Sequence, residues 1–326
     1  MILNQLGNTG IHLSAIGLGA WAIGGGGYKF GWGSQEDRES MATIHRAIDM
    51  GINWIDTAPV YGAGHSEEIV GKAVKDRKNK IFISTKCGIH IAENKEDLLH
   101  NLKKNSIRSE VEASLRRLQR DTIDLYQIHA PVPEEDIEEA WMLLGELKKE
   151  GKIRCAGVSN FTLEQLKRIQ LIHPVSFIQP SYSMLDRGIE EAVMDYCSAN
   201  DIGIIVFSPM YRGLLTGKFT SERAAKLPVD DNRLTLENYH EPYLSANLRL
   251  VESLRPIARR NNKTLAQLAV AWVLRRPEVT AAIVGARRPS QIEETASSGD
   301  WILSEEDKKE LDMLLATHQV SLETLK

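Results

Sequence analysis

Short apolar runs alternate with longer stretches in which apolar residues return every three or four positions. The runs are Ile16–Gly19, Asn53–Asp56, Ile81–Thr85, Asp124–Ile128, Ile153–Val158, Phe177–Gln179, Gly203–Phe207 and Ala281–Val284. Continuous apolar character over so few residues reads as strands buried on both faces. Helical periodicity fills Ser34–Met50, Ser109–Leu118, Ile137–Glu150, Leu163–Ile172, Glu190–Asn200 and Thr264–Arg275. In the first of these, Met41, Ile44, Ala47 and Ile48 share one face. Eight such strands in 326 residues, alternating with amphipathic helices, predict an α/β chain closed as a (β/α)8 TIM barrel rather than an open doubly wound sheet. Ahead of the first strand, residues 2–14 alternate weakly around Gly7-Asn8-Thr9-Gly10, which predicts a short N-terminal β-hairpin. No Pro/Gly/Ser-rich linker divides the chain, so residues 1–326 read as one domain.

Two stretches break the pattern. Gly24-Gly25-Gly26-Gly27-Tyr28 is too glycine-rich for a regular element. It lacks the Lys-Ser/Thr ending of a P-loop and the strand-GxGxxG-helix setting of a dinucleotide turn, so a mobile loop is expected. Residues 211–250 form a polar insertion after the seventh strand, on the barrel face where a cofactor lid belongs.

Composition narrows the class without changing the picture. The apolar and charged fractions, 42% and 26%, are those of an ordinary globular chain. A net charge of −4 without a long basic run argues against a nucleic-acid surface. Cys87, Cys155 and Cys197 are too scattered for a disulfide framework or a structural zinc site. No apolar run approaches the ~20 residues that cross a bilayer, and the N-terminus lacks a signal-peptide pattern, so no membrane association and a cytoplasmic location are expected. A barrel of this kind needs no partner to bury its core, so a monomer is the default expectation.

In a (β/α)8 barrel the chemistry belongs at the C-terminal ends of the strands. In order, those ends carry Asp56, Lys86, His129, Ser159-Asn160, Gln179 and Ser208-Pro209, with Tyr61 on the loop beyond Asp56. Each alone has a bland account: an Asp caps a helix, a Lys reaches solvent, a His packs. Their coincidence at equivalent positions is hard to obtain from capping alone. A metal-dependent hydrolase built on Asp56 and His129 is disfavoured, because it lacks a His-x-His pair or carboxylate cluster and Lys86 repels a cation. Strand alternation turns Cys87 away from the site.

Asp56-Thr-Ala-Pro-Val-Tyr61-Gly, Ser-Thr-Lys86, Ile-His129 and Gly157-Val-Ser-Asn-Phe161, in this order, resemble the motifs of the aldo-keto reductase superfamily over essentially the whole chain. Trp21-Ala-Ile-Gly-Gly and Arg212-Gly-Leu-Leu-Thr-Gly-Lys218 resemble more closely the bacterial groups that include inositol-operon reductases and general stress proteins. The resemblance implies reversible hydride transfer from NADPH to a small-molecule aldehyde or ketone. Tyr61 would be the proton donor, helped by Lys86, Asp56 and His129. A nearby ammonium is expected to lower the phenol's pKa from its usual ~10, and His129 is expected to be neutral.

Further implied contacts concern NADP(H). Ser159, Asn160 and Gln179 would take the carboxamide, Phe207 the ring face, and Ala20, Trp21 and Asp56 the nicotinamide pocket. Ser208, Pro209, Arg212, Gly213 and Lys218 would line the path of the pyrophosphate, with Arg233 as a second lid contact. Gly285, Ala286, Arg287, Arg288, Gln291 and Glu294 would hold the adenosine end, the two arginines at a helix N-terminus suiting a 2′-phosphate. Gly285 stands where some family members carry a phosphate-binding lysine. Tyr28 and Trp32 are candidates for the wall of the substrate site. The resemblance extends to potassium-channel β subunits, so an NADP(H)-binding regulatory or redox-sensing subunit is the alternative.

Overall fold

The computed structural model describes residues 1–28, 30–77, 80–228 and 231–325. Twelve strands are present among the described residues: β1 (Leu3–Gln5), β2 (His12–Ser14), β3 (Ile16–Gly19), β4 (Trp54–Asp56), β5 (Phe82–Cys87), β6 (Ile89–Ile91), β7 (Leu98–His100), β8 (Ile123–Ile128), β9 (Ile153–Ser159), β10 (Phe177–Gln179), β11 (Gly203–Val206) and β12 (Val279–Gly285). The strands β3, β4, β5, β8, β9, β10, β11 and β12 pair in parallel and close on themselves through β12 and β3, giving the predicted (β/α)8 barrel. All eight apolar runs are barrel strands. The run at 81–85 extends to Cys87, so Lys86 stands on its strand rather than beyond it.

The predicted N-terminal hairpin is β1–β2, paired in antiparallel register from Leu3↔Ser14 to Gln5↔His12. Its Leu6, Ile11 and Leu13 are buried in the same cluster as Trp54, Leu125, Cys155, Phe177, Ile205, Ala281 and Ile283, the inward residues of six strands. The hairpin thus stoppers the N-terminal end of the barrel. Two strand glycines make room for the rings inside. A Cβ on Gly17 would stand 2.1 Å from Trp54, and one on Gly157 2.4 Å from Phe177. The outward residues form a second, larger core against the helices, in which Cys87 lies as strand alternation predicted.

Several elements go beyond the expected pattern. The antiparallel pair β6–β7 lies after β5, and helices His65–Ala73, Tyr243–Arg260 and Glu305–Glu323 fill stretches the periodicity left unassigned. The insertion at 211–250 is no bare lid: Leu214, Phe219, Tyr239 and Leu244 bury one another in a satellite core. The glycine-rich segment is irregular as expected, but it is tightly engaged. A Cβ on Gly24 would sit 2.7 Å from the Tyr61 carbonyl carbon, and Gly62, at φ +70°, faces the Gly24 carbonyl. Only glycines allow the two backbones that flank Tyr61 to approach this closely. No helix among the described residues is long and apolar enough to cross a membrane.

Candidate active site

The upper, C-terminal half of the barrel interior is polar. Asp56, Ser84, Lys86, Gln127, Ser159 and Gln179 point inward from five neighbouring strands, and all are buried. Lys86 Nζ donates to Asp56 Oδ2 at 2.7 Å and to the Thr57 carbonyl at 2.9 Å. Asp56 Oδ1 accepts from Ser84 Oγ at 2.9 Å and from Gln179 Nε2 at 2.8 Å. Gln127 Nε2 in turn donates to Ser84 Oγ at 3.1 Å. A buried ion pair is tolerable only where such bonds satisfy the remaining lone pairs, and here they do for Asp56. Ser84 and Gln127 were absent from the sequence-based set. The signal for them was alternation, since they stand two residues before Lys86 and His129 and therefore face the same way.

Tyr61 hangs over this pair, with Lys86 Nζ 5.1 Å from its ring centroid. His129 meets the phenol edge-on, the two rings 6.0 Å apart and at 83°. The Asp56, Tyr61, Lys86 and His129 of the motif analysis are therefore brought together. Burial pushes the Tyr61 phenol above its ordinary pKa; Lys86 pulls it down and Asp56 pushes it further up. The expected lowering by Lys86 has the right sign but is outweighed by desolvation, a correction to the expectation. For Lys86, burial works to lower the pKa, and Asp56 and Tyr61 together reverse this into a net rise. Burial first, then Lys86 and His100, hold His129 well below its ordinary pKa, so it is neutral at pH 7. The burial of Cys87 likewise raises its thiol pKa, which makes a reactive thiolate unfavourable.

Around this centre the other candidate residues fall into two groups. Near it, Ser159 Oγ donates to the Gln179 carbonyl at 2.8 Å, and Asn160 Nδ2 donates to Ser159 Oγ at 3.1 Å and the His129 carbonyl at 3.0 Å. Ala20 is buried, its N–H bonded to the Asp56 carbonyl at 2.8 Å. Phe207 packs on the barrel interior cluster. Trp21 stacks on Tyr61 at 6.0 Å and takes Trp32 edge-on at 5.4 Å, with the Arg212 guanidinium 5.5 Å above its own ring. Trp21, Trp32 and Tyr61 thus form one aromatic wall. Tyr28 donates its hydroxyl to the Gly24 carbonyl, and burial pushes its pKa to about 12.

The second group lies toward the end of β12. Ser208, Tyr211, Arg212 and Gly213 all adopt positive φ, folding the loop after β11 back on itself beside Pro209. Lys218 reaches from this insertion to Glu294, Nζ to Oε2 at 2.7 Å. Gly285 is exposed with open space where a side chain would be, and Ala286 is buried. Gln291 Oε1 accepts from the N–H groups of Arg287 and Arg288 at 2.8 and 3.1 Å, capping the helix Pro289–Ala296. Arg288 is exposed, with Glu39 3.6 Å away. Arg233 is buried and forked onto Asp231, its guanidinium 5.2 Å over the Trp32 ring. Its role here is to pin the insertion against the aromatic wall.

Comparison with known proteins identifies the family. The aldo/keto reductase family model matches residues 15–316, and the chain belongs to that family. It is similar to the aldo-keto reductase YhdN of Bacillus subtilis, 40% identical over 97% of this chain and 94% of that protein. It is 37% identical to the NADH-specific methylglyoxal reductase of Escherichia coli, over 93% of this chain and 94% of the relative. Among solved structures, the glycerol dehydrogenase AKR11B4 from Gluconobacter oxydans superposes with a TM-score of 0.87 at 38% identity, covering 97% of this chain and 95% of the other. The family's members are oxidoreductases that act on carbonyl substrates with nicotinamide cofactors.

Proposed function

We propose that this chain is an NADP(H)-dependent reductase of small aldehydes and ketones, working reversibly, with Tyr61 as the proton donor. The observation that carries this reading is the buried Lys86–Asp56 pair beneath the Tyr61 ring, with neutral His129 at the ring's edge. A bound nicotinamide supplies or accepts the hydride. Tyr61, held in the phenol form by burial, gives its proton to the developing alkoxide. Lys86, fixed by Asp56, stabilises the phenolate left behind, which is the base that takes the alcohol's proton in the oxidative direction. His129 donates a ring N–H to the carbonyl oxygen, favouring the charge that develops there.

The residues present suit such a cofactor. Among the described residues, Glu294 Oε1 is buried without a hydrogen-bond partner, an acceptor suited to the exocyclic amine of adenine. Ser159, Asn160 and Gln179 offer amide and hydroxyl groups to the carboxamide, and Phe207 an aromatic face. Lys218 and Arg288 are exposed cations suited to the phosphates. The NADH specificity of the Escherichia coli relative makes the choice of phosphate form a matter for measurement. The test follows NADPH oxidation against a panel of aldehydes, ketones and sugars, with NADH in parallel and Tyr61→Phe alongside. Turnover is expected with NADPH and is expected to vanish in Tyr61→Phe while NADPH binding persists. Near-normal turnover by that variant would reject Tyr61 as donor, and tight NADPH binding without turnover of any substrate would reject the reductase reading.

A further inference from the structure

Arg287 and Arg288 are adjacent in sequence and differ in what they do. Every kind of donor on the Arg287 guanidinium is engaged by the segment that follows the glycine-rich loop. Nε donates to Gln35 Oε1 at 2.8 Å, Nη1 to the Trp32 carbonyl at 2.9 Å, and Nη2 to the Ser34 carbonyl. Gln35 Nε2 returns a bond to the Arg287 carbonyl at 2.9 Å. The guanidinium is a planar fork with fixed donor directions, so a grip on three acceptors of one segment defines the path of that segment. The Arg288 side chain, by contrast, is 71% exposed and stands 3.6 Å from Glu39.

The gripped segment carries Trp32, whose ring meets Trp21 edge-on; Trp21 stacks on Tyr61. A continuous series of contacts thus runs from the end of β12 to the proposed proton donor. We propose that Arg287 is a positioning residue for the aromatic wall of the carbonyl site, and that recognition of a 2′-phosphate falls to Arg288 alone of the two. This rests on the reductase reading above and deepens it. Arg287 touches neither substrate nor reacting atoms; it acts through Trp32 and Trp21. Two neighbouring arginines would then control different parameters, one the fit of the carbonyl and the other the choice of dinucleotide.

The experiment compares Arg287→Met, Arg288→Ala and Gln35→Leu with the unaltered chain. Calorimetry gives the Kd for NADPH and for NADH, steady-state kinetics give KM and kcat for the best carbonyl substrate, and hydrogen exchange follows residues 30–36. Arg287→Met is expected to raise the carbonyl KM by about fivefold or more, as loss of several hydrogen bonds on a substrate wall should, with a smaller change in kcat. Its ratio of NADPH to NADH affinity should be preserved, and exchange over 30–36 should quicken. Arg288→Ala should cut that ratio by about tenfold, the scale of one charged phosphate contact. Gln35→Leu keeps both arginines and should reproduce the KM rise in milder form, so a poorly folding Arg287→Met would not leave the idea unexamined. Loss of NADPH preference in Arg287→Met with none in Arg288→Ala would overturn it, as would an unchanged carbonyl KM in both Arg287→Met and Gln35→Leu. The affinity ratios decide the division between the arginines even if no substrate is turned over, so failure of the reductase reading is seen separately.

Discussion

The two halves of the barrel interior are built from the same strands by the same alternation, yet they are opposites. In the lower half, Trp54, Leu125, Cys155, Phe177, Ile205 and Ala281 pack with the hairpin's Leu6, Ile11 and Leu13. One step of two residues further along, β4 passes from Trp54 to Asp56, β8 from Leu125 to Gln127, and β10 from Phe177 to Gln179. The lower layer needs only complementary volume, and Gly17 and Gly157 supply the gaps for its rings. The upper layer buries a charge pair, which holds only because Ser84, Gln179 and the Thr57 carbonyl complete its hydrogen bonds. The apolar half gives the rigidity on which the polar half depends for fixed geometry.

If this contrast is right, substitutions in the two halves should differ in what they cost in activity. The largest effect is expected from Lys86→Met, which leaves the buried Asp56 carboxylate without its cation. A fall in kcat of about 10²–10⁴ is expected, the range for losing acid–base assistance. Turnover within about tenfold of the unaltered chain would remove Lys86 from the mechanism. Next, Phe177→Ala opens a cavity in the lower layer and should cost about 3–5 kcal/mol in denaturant unfolding. Below the melting range its kcat should change far less than that of Lys86→Met; an equal loss would show that the two halves are not separable.

The smallest effect concerns pH. A histidine held below its ordinary pKa stays neutral in the fold while the unfolded chain takes up a proton near pH 6.5. Proton uptake by the unfolded state means that stability falls as pH drops below that value and is recovered above it. Melting curves between pH 7.5 and pH 5 should slope in this sense, and His129→Asn should flatten the slope. A slope unchanged by the substitution would assign it to other groups.

Much of this arrangement is legible in the sequence. The apolar runs showed eight barrel strands, because a strand covered on both faces leaves a continuous signature, and the hairpin announced itself through Gly7 and Gly10. The residues of the candidate centre were legible from their places at strand ends. What was missed had a different character. The short pair β6–β7 lacks a strong local pattern, and Ser84 and Gln127 looked like unremarkable members of apolar strands. The balance at Tyr61 is not legible in the sequence, because desolvation depends on everything packed around the phenol, whereas the effect of Lys86 is pairwise.

The two arginines show where sequence reading stops. Side by side ahead of a helix, they are equivalent by residue type and charge, and both were assigned to a phosphate. Which one is engaged depends on Gln35, Ser34 and Trp32, more than 250 positions away, brought to Arg287 when β12 closes the barrel against β3. The sequence by itself determined the barrel, its polar upper layer and the residue types available for proton transfer, because periodicity and strand-end position are local properties. Only the tertiary structure decided which donors are occupied, which acceptors are orphaned and which way a pKa moves, because burial and long-range contact exist only once the chain has closed.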